Sequence, residues 1–343
     1  MTKRLSIAQE RSGADVAVVI ISFRETTETL YNAIAAALRA LKGFNAVLDV
    51  VVNGNAELAE SVAGCMRDRC GEFPAGVRLR CWYLVCGDKA HAWNTYVHEL
   101  WPGARTTVFM DGYVEAAVDA IQLLDDALAE DTNALGATGV PNVGASARRM
   151  QKEMTSGGGI HGNLFALGAD AMRLIRNTRF FVPLGLYRVD GVIGAALFKQ
   201  LQPIGTTWDI KRVVVLPAVS WRFGRLKWWR LRDWIAYIKR LSRQQQGVLE
   251  NLAFRDFFIR RKQPLDKLPR TALTLLEDWE RHAPDEASST LRRSSAARRA
   301  LERMRLPRDW SQAAAPPVLM VEISSMDVLH SGDFSQPVAS FDQ

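Results

Sequence analysis

Apolar runs and amphipathic segments alternate along the first half of the chain, and this alternation restricts the fold more than any other feature. Residues 15–22 form a nearly continuous Val/Ile run, which is typical of a strand buried on both faces of a sheet. Residues 27–41 then place four apolar side chains on one helical stripe. Further strands are predicted at 47–52, 77–85, 106–110 and 164–167, and further helices at 57–69, 90–100, 114–129, from 170, and at 192–200. The pattern predicts an α/β fold with a mostly parallel sheet flanked by helices.

Polar side chains follow four of the predicted strands at their carboxyl ends. The segments are Ser22–Glu25, Asn53–Asn55, Gly87–Lys89 and Asp111–Tyr113. In open α/β sheets this edge lines the ligand crevice, so these side chains are expected to converge there. Asp111 is the most informative of them, because an acid at this edge suits metal or phosphate chemistry. An aspartate before a helix is also a common cap, so the structural interpretation stays open.

The composition indicates a globular protein whose partners are anionic. Of the 343 residues, 48% are hydrophobic and 24% charged, and the formal net charge is +7. No apolar run reaches the roughly 20 residues that span a bilayer, and the start of the sequence does not resemble a signal peptide. We therefore expect a cytoplasmic protein. The positive charge suits nucleotide phosphates, nucleic acid or an anionic membrane surface, and does not choose among them.

The four cysteines form two C-x4-C pairs, Cys65/Cys70 and Cys81/Cys86. Such pairs raise the alternative of a zinc site. Residues five positions apart lie on opposite faces of a strand and about 140° apart on a helix, so neither pair readily shares a metal outside a loop. Reduced thiols are the favoured interpretation in a cytosolic protein.

By composition the chain divides into three predicted regions. The α/β domain extends over 1–220, a Trp/Arg-rich helical extension over 221–282, and a linker-like tail over 283–343, where a Ser/Arg/Ala-rich run and an Ala/Pro segment stand. Residues 221–243 predict an amphipathic helix with two interpretations. In the first, the helix lies on anionic lipid, and the protein is a peripheral membrane protein on the inner face of the cell membrane. In the second, the helix docks on the α/β domain. No nucleic-acid reading module is recognisable, so no nucleic-acid partner is predicted.

The order of these segments resembles the family 2 glycosyltransferases, enzymes of GT-A fold that move a sugar from a nucleotide diphosphate donor to an acceptor. The segments that carry the resemblance are Val18–Glu25, Val51–Asn55, Gly87–Asn94, Phe109–Tyr113, Gly158–Leu167 and Val189–Gly191. It covers residues 15 to about 200 and implies a nucleotide-sugar half over about 15–130 and an acceptor half over about 131–220. Each motif alone is unspecific; their order and spacing make the combination informative.

The resemblance implies a role for each matching residue. Asp190 is implied as the general base of an inverting transfer, and Asp111 as the residue that binds a divalent metal, Mg²⁺ or Mn²⁺, at the donor pyrophosphate. Donor contacts are implied for Ser22, Phe23, Glu25, Asn53, Lys89, Asn94 and Asp111, and an acceptor-side location for Gly158, Gly159, His161 and Trp93. If this is so, Asp111 and Asp190 face one shared cleft.

Three residues depart from the family pattern. Tyr113 stands where a second Asp is usual, and a neutral phenol is a poor ligand for a hard cation, so the metal site is expected to be weakened or completed elsewhere, by Glu115 through water or by His161. Asn53 replaces the usual nucleoside-contacting Asp. Val189 replaces an acid before Asp190, which removes a like charge that would raise the pKa of the base.

The functional prediction is a hexosyltransferase with a UDP-linked donor and a glycan or lipid-linked acceptor, in cell-envelope or exopolysaccharide assembly as the resemblance implies. Two alternatives stay open. One is a catalytically silent GT-A protein that binds sugar nucleotides or glycans, which Tyr113 and Asn53 favour. The other is a nucleotidyltransferase, although no glycine-rich phosphate loop follows the first strand. The sequence does not indicate an oligomeric state.

Overall fold

The structure is a computed structural model that describes residues 13–141, 147–222 and 231–324, and for residues 231–242 it describes the backbone alone. The strands are β1 (Val16–Ser22), β2 (Ala46–Asn53), β3 (Val77–Leu84), β4 (Thr106–Asp111), β5 (Glu115–Ala116), β6 (Gly136–Gly139), β7 (Leu164–Gly168), β8 (Val213–Leu216), β9 (Trp221–Arg222) and β10 (Val318–Ile323). The helices are α1 (Thr27–Ala40), α2 (Ala56–Asp68), α3 (Lys89–Thr95), α4 (Ala120–Glu130), α5 (Ala147–Gly157), α6 (Ala169–Asn177), α7 (Val189–Phe198), α8 (Leu231–Phe254), α9 (Ala272–His282), α10 (Pro284–Arg293) and α11 (Ser295–Met304).

Within the described residues, eight strands form one mixed sheet in the order β10-β3-β2-β1-β4-β7-β6-β8. Strands β3, β2, β1 and β4 are parallel neighbours, and β6 and β8 pair in parallel. Strands β7 and β10 are antiparallel to their neighbours. The predicted mostly parallel α/β architecture is thereby confirmed, and the carboxyl ends of β1 to β4 lie side by side at one edge.

Helices cover both faces of this sheet because the central strands are apolar on both sides. In β1, Val16, Val18 and Ile20 pack with α1, α2 and α4, whereas Val19 and Ile21 belong to the core on the other face. That second core contains residues of α3 and α6 to α11. The predicted helical extension therefore shares its core with the sheet. The predicted boundaries between the regions stay predictions.

The segment predicted as a helix over 114–129 begins differently. Residues Glu115–Ala116 form β5, which pairs antiparallel with β9, and α4 begins only at Ala120. Pairing with a distant strand engages backbone groups that a local pattern would assign to a helix. Strand β6 and helix α5 were not predicted, since Gly136–Gly139 is short and rich in glycine and Ala147–Gly157 has only two buried side chains.

The linker-like prediction for 283–343 is wrong over 284–304 and 318–323. Helix α10 begins with Pro284 in its first turn, and the Ser294 side chain caps α11. The alanines that suggested low complexity are small residues in the core of the helical layer, where Ala287, Ala297 and Ala300 are buried. Strand β10 then pairs with β3 at the edge of the sheet. Residues 325–343 lie outside the described part of the chain.

The membrane interpretation of 221–243 falls mostly on residues that are not described. Strand β9 places Trp221 in the core, where it is 2% exposed, while residues 223–230 and the side chains of 231–242 lie outside the description. No helix within the described residues has the length and apolarity needed to cross a bilayer. Contact with an anionic membrane surface stays a prediction.

Candidate active site

The turn after β1 is fixed by the carboxylate of Glu25. Its Oε2 accepts hydrogen bonds from Ser22 Oγ at 2.6 Å, Phe23 N at 2.8 Å and Arg24 N at 2.9 Å. This turn holds the predicted nucleoside contacts Ser22, Phe23 and Glu25 together at the carboxyl edge of the sheet. Ser22 itself is buried, so the side chain of Phe23 and the Oε1 atom of Glu25 are better placed to contact a ligand. Their nucleoside contacts stay predictions.

Asn53 lies beneath the crevice. Its side chain is 1% exposed, and its Nδ2 donates to Ser22 O at 2.8 Å, which ties the end of β2 to the end of β1. Its Oδ1 is buried and has no hydrogen-bond partner within the described part of the chain. The burial favours a structural role, and the predicted contact with a base stays untested.

Two glycine turns meet backbone to backbone at the base of the crevice. A Cβ on Gly54 would lie 2.4 Å from Gly87 Cα and 3.1 Å from the ring of Phe23, and the φ of Gly54 is +68°. The turns after β2 and β3 therefore approach as closely as they do only because both lack side chains. This contact sets the position of the residues that follow Gly87.

Lys89 is the cation at the centre of the site. It begins α3 directly after Asp88, which caps that helix by accepting from His91 N at 2.9 Å. Lys89 Nζ donates to Asp111 Oδ1 at the end of β4. Burial acts to lower the pKa of Lys89, but the charges of Asp111, Asp190 and Glu25 and the hydrogen bond to Asp111 hold it above its usual value. The ammonium therefore stays charged among three carboxylates.

Asp111 and Asp190 lie near each other, and the cleft that the sequence predicts between them stays a prediction. Asp111 N donates to Asn163 O at 3.2 Å, and the neighbouring Gly162 N donates to Asp190 Oδ2 at 3.1 Å. Lys89 interacts electrostatically with both carboxylates. Asp190 lies in the first turn of α7, whose N-cap is Arg188, so Asp190 does not cap this helix. Its role as a base stays a prediction.

Helix α8 holds the turn that carries Asp190, a contribution that was not predicted. Glu250 is fully buried and accepts from Tyr187 N at 2.9 Å and Arg188 N at 3.1 Å. Gln246 Nε2 donates to Gly185 O at 3.1 Å and to Glu250 Oε1 at 2.7 Å. A single acid within the apolar stretch 248–254 was the available signal, because an acid there must be paired or functional.

Glu250 is expected to make the stability of the fold depend on pH. Burial raises the pKa of Glu250 from its reference value of 4.5 to about 7. The hydrogen bonds from Tyr187 N, Gln246 and Arg188 N and the charge of Arg188 act to lower this pKa, but burial outweighs them. Between these two values the folded chain binds the proton more tightly than the unfolded chain. The stabilisation is therefore complete below pH 4.5 and is lost as pH rises through 7.

Urea unfolding at pH 5 and pH 8 measures this loss. Glu250 is expected to lower the free energy of unfolding by on the order of 1–3 kcal/mol between these two pH values. In Glu250→Gln, which does not titrate, the difference in the free energy of unfolding between the two pH values should shrink by that amount. Equal pH dependence in the two proteins would contradict the assignment.

The C-terminal segment also reaches the site, which was not predicted either. Arg308 donates to Gly87 O at 2.9 Å and lies 3.6 Å from Asp88 Oδ2, and its guanidinium stacks on Trp310 at 4.1 Å. Arg24 lies over Phe23 at 4.9 Å. Burial and the like charges of Arg243 and Arg308 lower the pKa of Arg24. Two arginines from distant parts of the chain, Arg24 and Arg308, thus lie near the Gly87 turn.

Two residues predicted at the site lie elsewhere. Asn94 uses both amide atoms on the backbone of Val182, at 2.8 and 2.9 Å, so it binds the 180–187 segment to α3 and does not line the donor crevice. Trp93 is 1% exposed and packs against Phe109 and Phe180 in the core. Alternating small and large residues after Gly87 gave no sign of which face of α3 would be buried.

The polar end of the predicted acceptor-side loop contacts the two aspartates, since Asn163 bonds to Asp111 and Gly162 to Asp190. Gly158 and Gly159 have φ values of +70° and +132°, and a Cβ on Gly158 would lie 2.8 Å from Ile210. They shape the loop, and no observation assigns them an acceptor. His161 Nδ1 accepts from Asn163 N at 3.3 Å, and its ring lies 5.1 Å from that of Trp221. Its acceptor contact stays a prediction.

The residues around Asp111 do not fit a divalent cation well. The hydroxyl of Tyr113 lies 3.0 Å from Asp111 Oδ2, which is within hydrogen-bond distance, and Lys89 Nζ donates to Asp111 Oδ1. Within the described residues no three His, Cys, Asp or Glu side chains gather as a metal-ligand set. Glu115 lies on β5 opposite Arg222, and neither it nor His161 completes such a set. Hard cations require several oxygen ligands.

Comparisons with known proteins support the fold. No protein-family model matches the chain, and no curated protein matches its sequence. Among solved structures, the chain is similar to a mannosyltransferase from Pyrobaculum calidifontis in complex with GDP-Man and Mn²⁺, with a TM-score of 0.51, 16% identity, and coverage of 88% of this chain and 78% of that chain. It is also similar to glucosyl-3-phosphoglycerate synthase from Mycobacterium tuberculosis in complex with Mn²⁺, UDP and glucosyl-3-phosphoglycerate, with a TM-score of 0.48, 14% identity, and coverage of 74% and 86%.

The chain has the GT-A fold. Of these two structures only the mannosyltransferase has a TM-score above 0.5. At 16% identity, this likeness shows a common architecture and carries no information about substrates. The expected fold class is thereby confirmed, including the helical C-terminal extension.

Proposed function

We propose that the chain is an inverting glycosyltransferase that moves a sugar from a UDP-linked donor to a glycan or lipid-linked acceptor. The observation that carries the proposal is the convergence of Lys89, Asp111 and Asp190 at the carboxyl edge of a GT-A sheet. The ligand crevice of such sheets is at this edge. A fixed cation and a separate carboxylate are the two kinds of group that displacement of a nucleoside diphosphate requires.

Asp190 is proposed as the general base. The acceptor oxygen forms a bond to the anomeric carbon, and the bond from that carbon to the β-phosphate oxygen breaks with its electron pair remaining on the phosphate. The acceptor proton passes to the carboxylate of Asp190. Gly162 N, 3.1 Å from Asp190 Oδ2, would fix the orientation of this carboxylate and leave Oδ1 for the acceptor hydroxyl.

The base of the nucleotide and the metal remain to be tested. The similar mannosyltransferase was solved with GDP-Man and Mn²⁺, so GDP-linked donors belong in any test beside UDP-linked ones. That structure supports a divalent metal in a protein of this fold, while the donor set around Asp111 does not fit one well. No step of the proposed transfer is therefore assigned to a metal.

Nucleotide binding and turnover test this function together. Thermal unfolding is measured with UDP, GDP, ADP and CDP, each with Mn²⁺ and with EDTA, and donor consumption is measured with UDP- and GDP-sugars. We expect one nucleoside diphosphate to raise the Tm and its sugar derivative to be consumed. Stabilisation without turnover of any donor would favour the alternative, a silent sugar-nucleotide or glycan-binding protein, which the burial of Asn53 and the phenol of Tyr113 motivate.

A further inference from the structure

The acidic residue at the end of β4 is already occupied by protein donors. Asp111 Oδ1 accepts from Lys89, and Asp111 Oδ2 lies 3.0 Å from the hydroxyl of Tyr113. The same hydroxyl lies 3.2 Å from Asn163 Oδ1. A divalent cation at this carboxylate would have to displace the Lys89 ammonium or lie beside it, and two cations in contact repel each other strongly at a half-buried site.

The ammonium of Lys89 is placed to serve in the position of that cation. The side chain of Lys89 is 41% exposed and that of Asp111 is 13% exposed, so Lys89 is the more accessible member of this ion pair. Asp111 therefore anchors a protein cation at the carboxyl edge of the sheet. A lysine held in this way offers further N–H donors to phosphate oxygens.

A second group of cations lies on the other side of the same turn. Arg308 is bound to Gly87 O, and the ring of Phe23, beneath the Arg24 guanidinium, lies against the Gly87 position. Two arginines from separate segments thus lie near residues 87–89, beside the cation of Lys89. The nucleoside diphosphate released in the proposed transfer carries several negative charges, which such a set can offset.

Resting on the proposed function, we propose that this site binds and stabilises the leaving diphosphate with fixed side-chain cations, Lys89 on Asp111 together with Arg24 and Arg308, and does so without a divalent metal. When the bond to the anomeric carbon breaks, one additional negative charge appears on the β-phosphate. Lys89 neutralises it by ion pairing, and no co-reactant is needed. Tyr113 is the residue that makes this arrangement possible, because its hydroxyl contributes no formal charge to attract a metal.

Calorimetric titration with UDP and with GDP, in EDTA and in Mn²⁺, tests the proposal on the wild-type chain. We expect the Kd of the bound nucleotide to agree within about threefold in the two buffers, a difference below 1 kcal/mol by the relation of affinity to free energy. Binding in Mn²⁺ but not in EDTA would overturn this inference and leave the proposed function standing. Binding in neither buffer would overturn both.

Three variants make the test specific. Lys89→Met should weaken binding by about tenfold to a hundredfold in both buffers, as expected for the loss of a charged hydrogen bond, and Lys89→Arg should recover part of it. Tyr113→Asp should make binding stronger in Mn²⁺ than in EDTA, because it adds a second carboxylate beside Asp111. Lys42→Met, at an exposed lysine after α1, is the control and should bind like wild type. A Lys89→Met protein with unchanged Kd, or one rescued by Mn²⁺, would contradict the proposal.

Discussion

Asp190→Asn is expected to lower the rate of sugar transfer by about 10²- to 10⁴-fold, the usual contribution of a positioned general base. Asparagine keeps an oxygen that accepts from Gly162 N, so the turn at the start of α7 should not move. Binding of the nucleoside diphosphate should stay within about twofold, because Asp190 faces the acceptor hydroxyl in the proposed transfer. Steady-state transfer rates and calorimetric titration measure the two quantities separately.

Asp170→Asn provides the matched control. Asp170 also lies in the first turn of a helix, α6, but it is exposed and pairs with Arg173 on the surface. We expect this variant to transfer sugar at the wild-type rate. Near-normal transfer by Asp190→Asn would show that the base is another residue, and equal losses in the two variants would point to a general effect on the fold.

Gly54→Ala is expected to damage both stability and nucleotide binding. Its methyl group would lie 2.4 Å from Gly87 Cα, and the φ of +68° disfavours any side chain. Left-handed backbone costs about 1–2 kcal/mol, and overpacking adds about 1–3 kcal/mol. The turn that carries Lys89 must also shift, so the affinity for the nucleoside diphosphate should fall at least about tenfold, the loss expected when one charged contact is misplaced.

Gly43→Ala separates the two causes. Gly43 also has a positive φ, +94°, but no atom lies within 4 Å of a Cβ placed there. This variant should lose only the conformational part of the stability, about 1–2 kcal/mol, and should bind nucleotide normally. Urea unfolding and calorimetric titration are the measurements. If Gly54→Ala behaved like Gly43→Ala in both, the close contact with Gly87 would not set the geometry of the site.

The central strands could be predicted from the sequence because their residues are apolar on both faces. Val16–Ser22 and Ala46–Asn53 are fully buried, and a buried parallel strand has this composition. Strand β5 and strand β10 could not be predicted, because their structure comes from pairing with β9 and β3, which are distant in sequence. Helices α10 and α11 were missed since small and basic residues in a packed layer have the composition of a linker.

The candidate site also contains residues that could be predicted from the order of elements and residues that depend on tertiary contacts. Lys89, Asp111 and Asp190 follow strands or begin helices, and such positions are readable from the order of elements. Trp93 and Asn94 stand on α3, whose buried face is determined by tertiary contacts, so their direction was not predictable. Glu250 and Arg308 come from segments far along the chain, and only the folded structure brings them to the turns at residues 187–188 and at Gly87.

The position of β10 ties completion of the sheet to the last described part of the chain. Without residues 318–323, the outer strand β3 would present unpaired backbone groups to other molecules, which is a known route to aggregation. Arg308 lies only a short way before β10 in the sequence, so a polypeptide that has been synthesised only as far as residue 307 lacks both the strand that covers β3 and one cation of the site. Proteolytic cleavage before residue 308 would therefore expose the edge of β3 and remove Arg308 from the site at the same time.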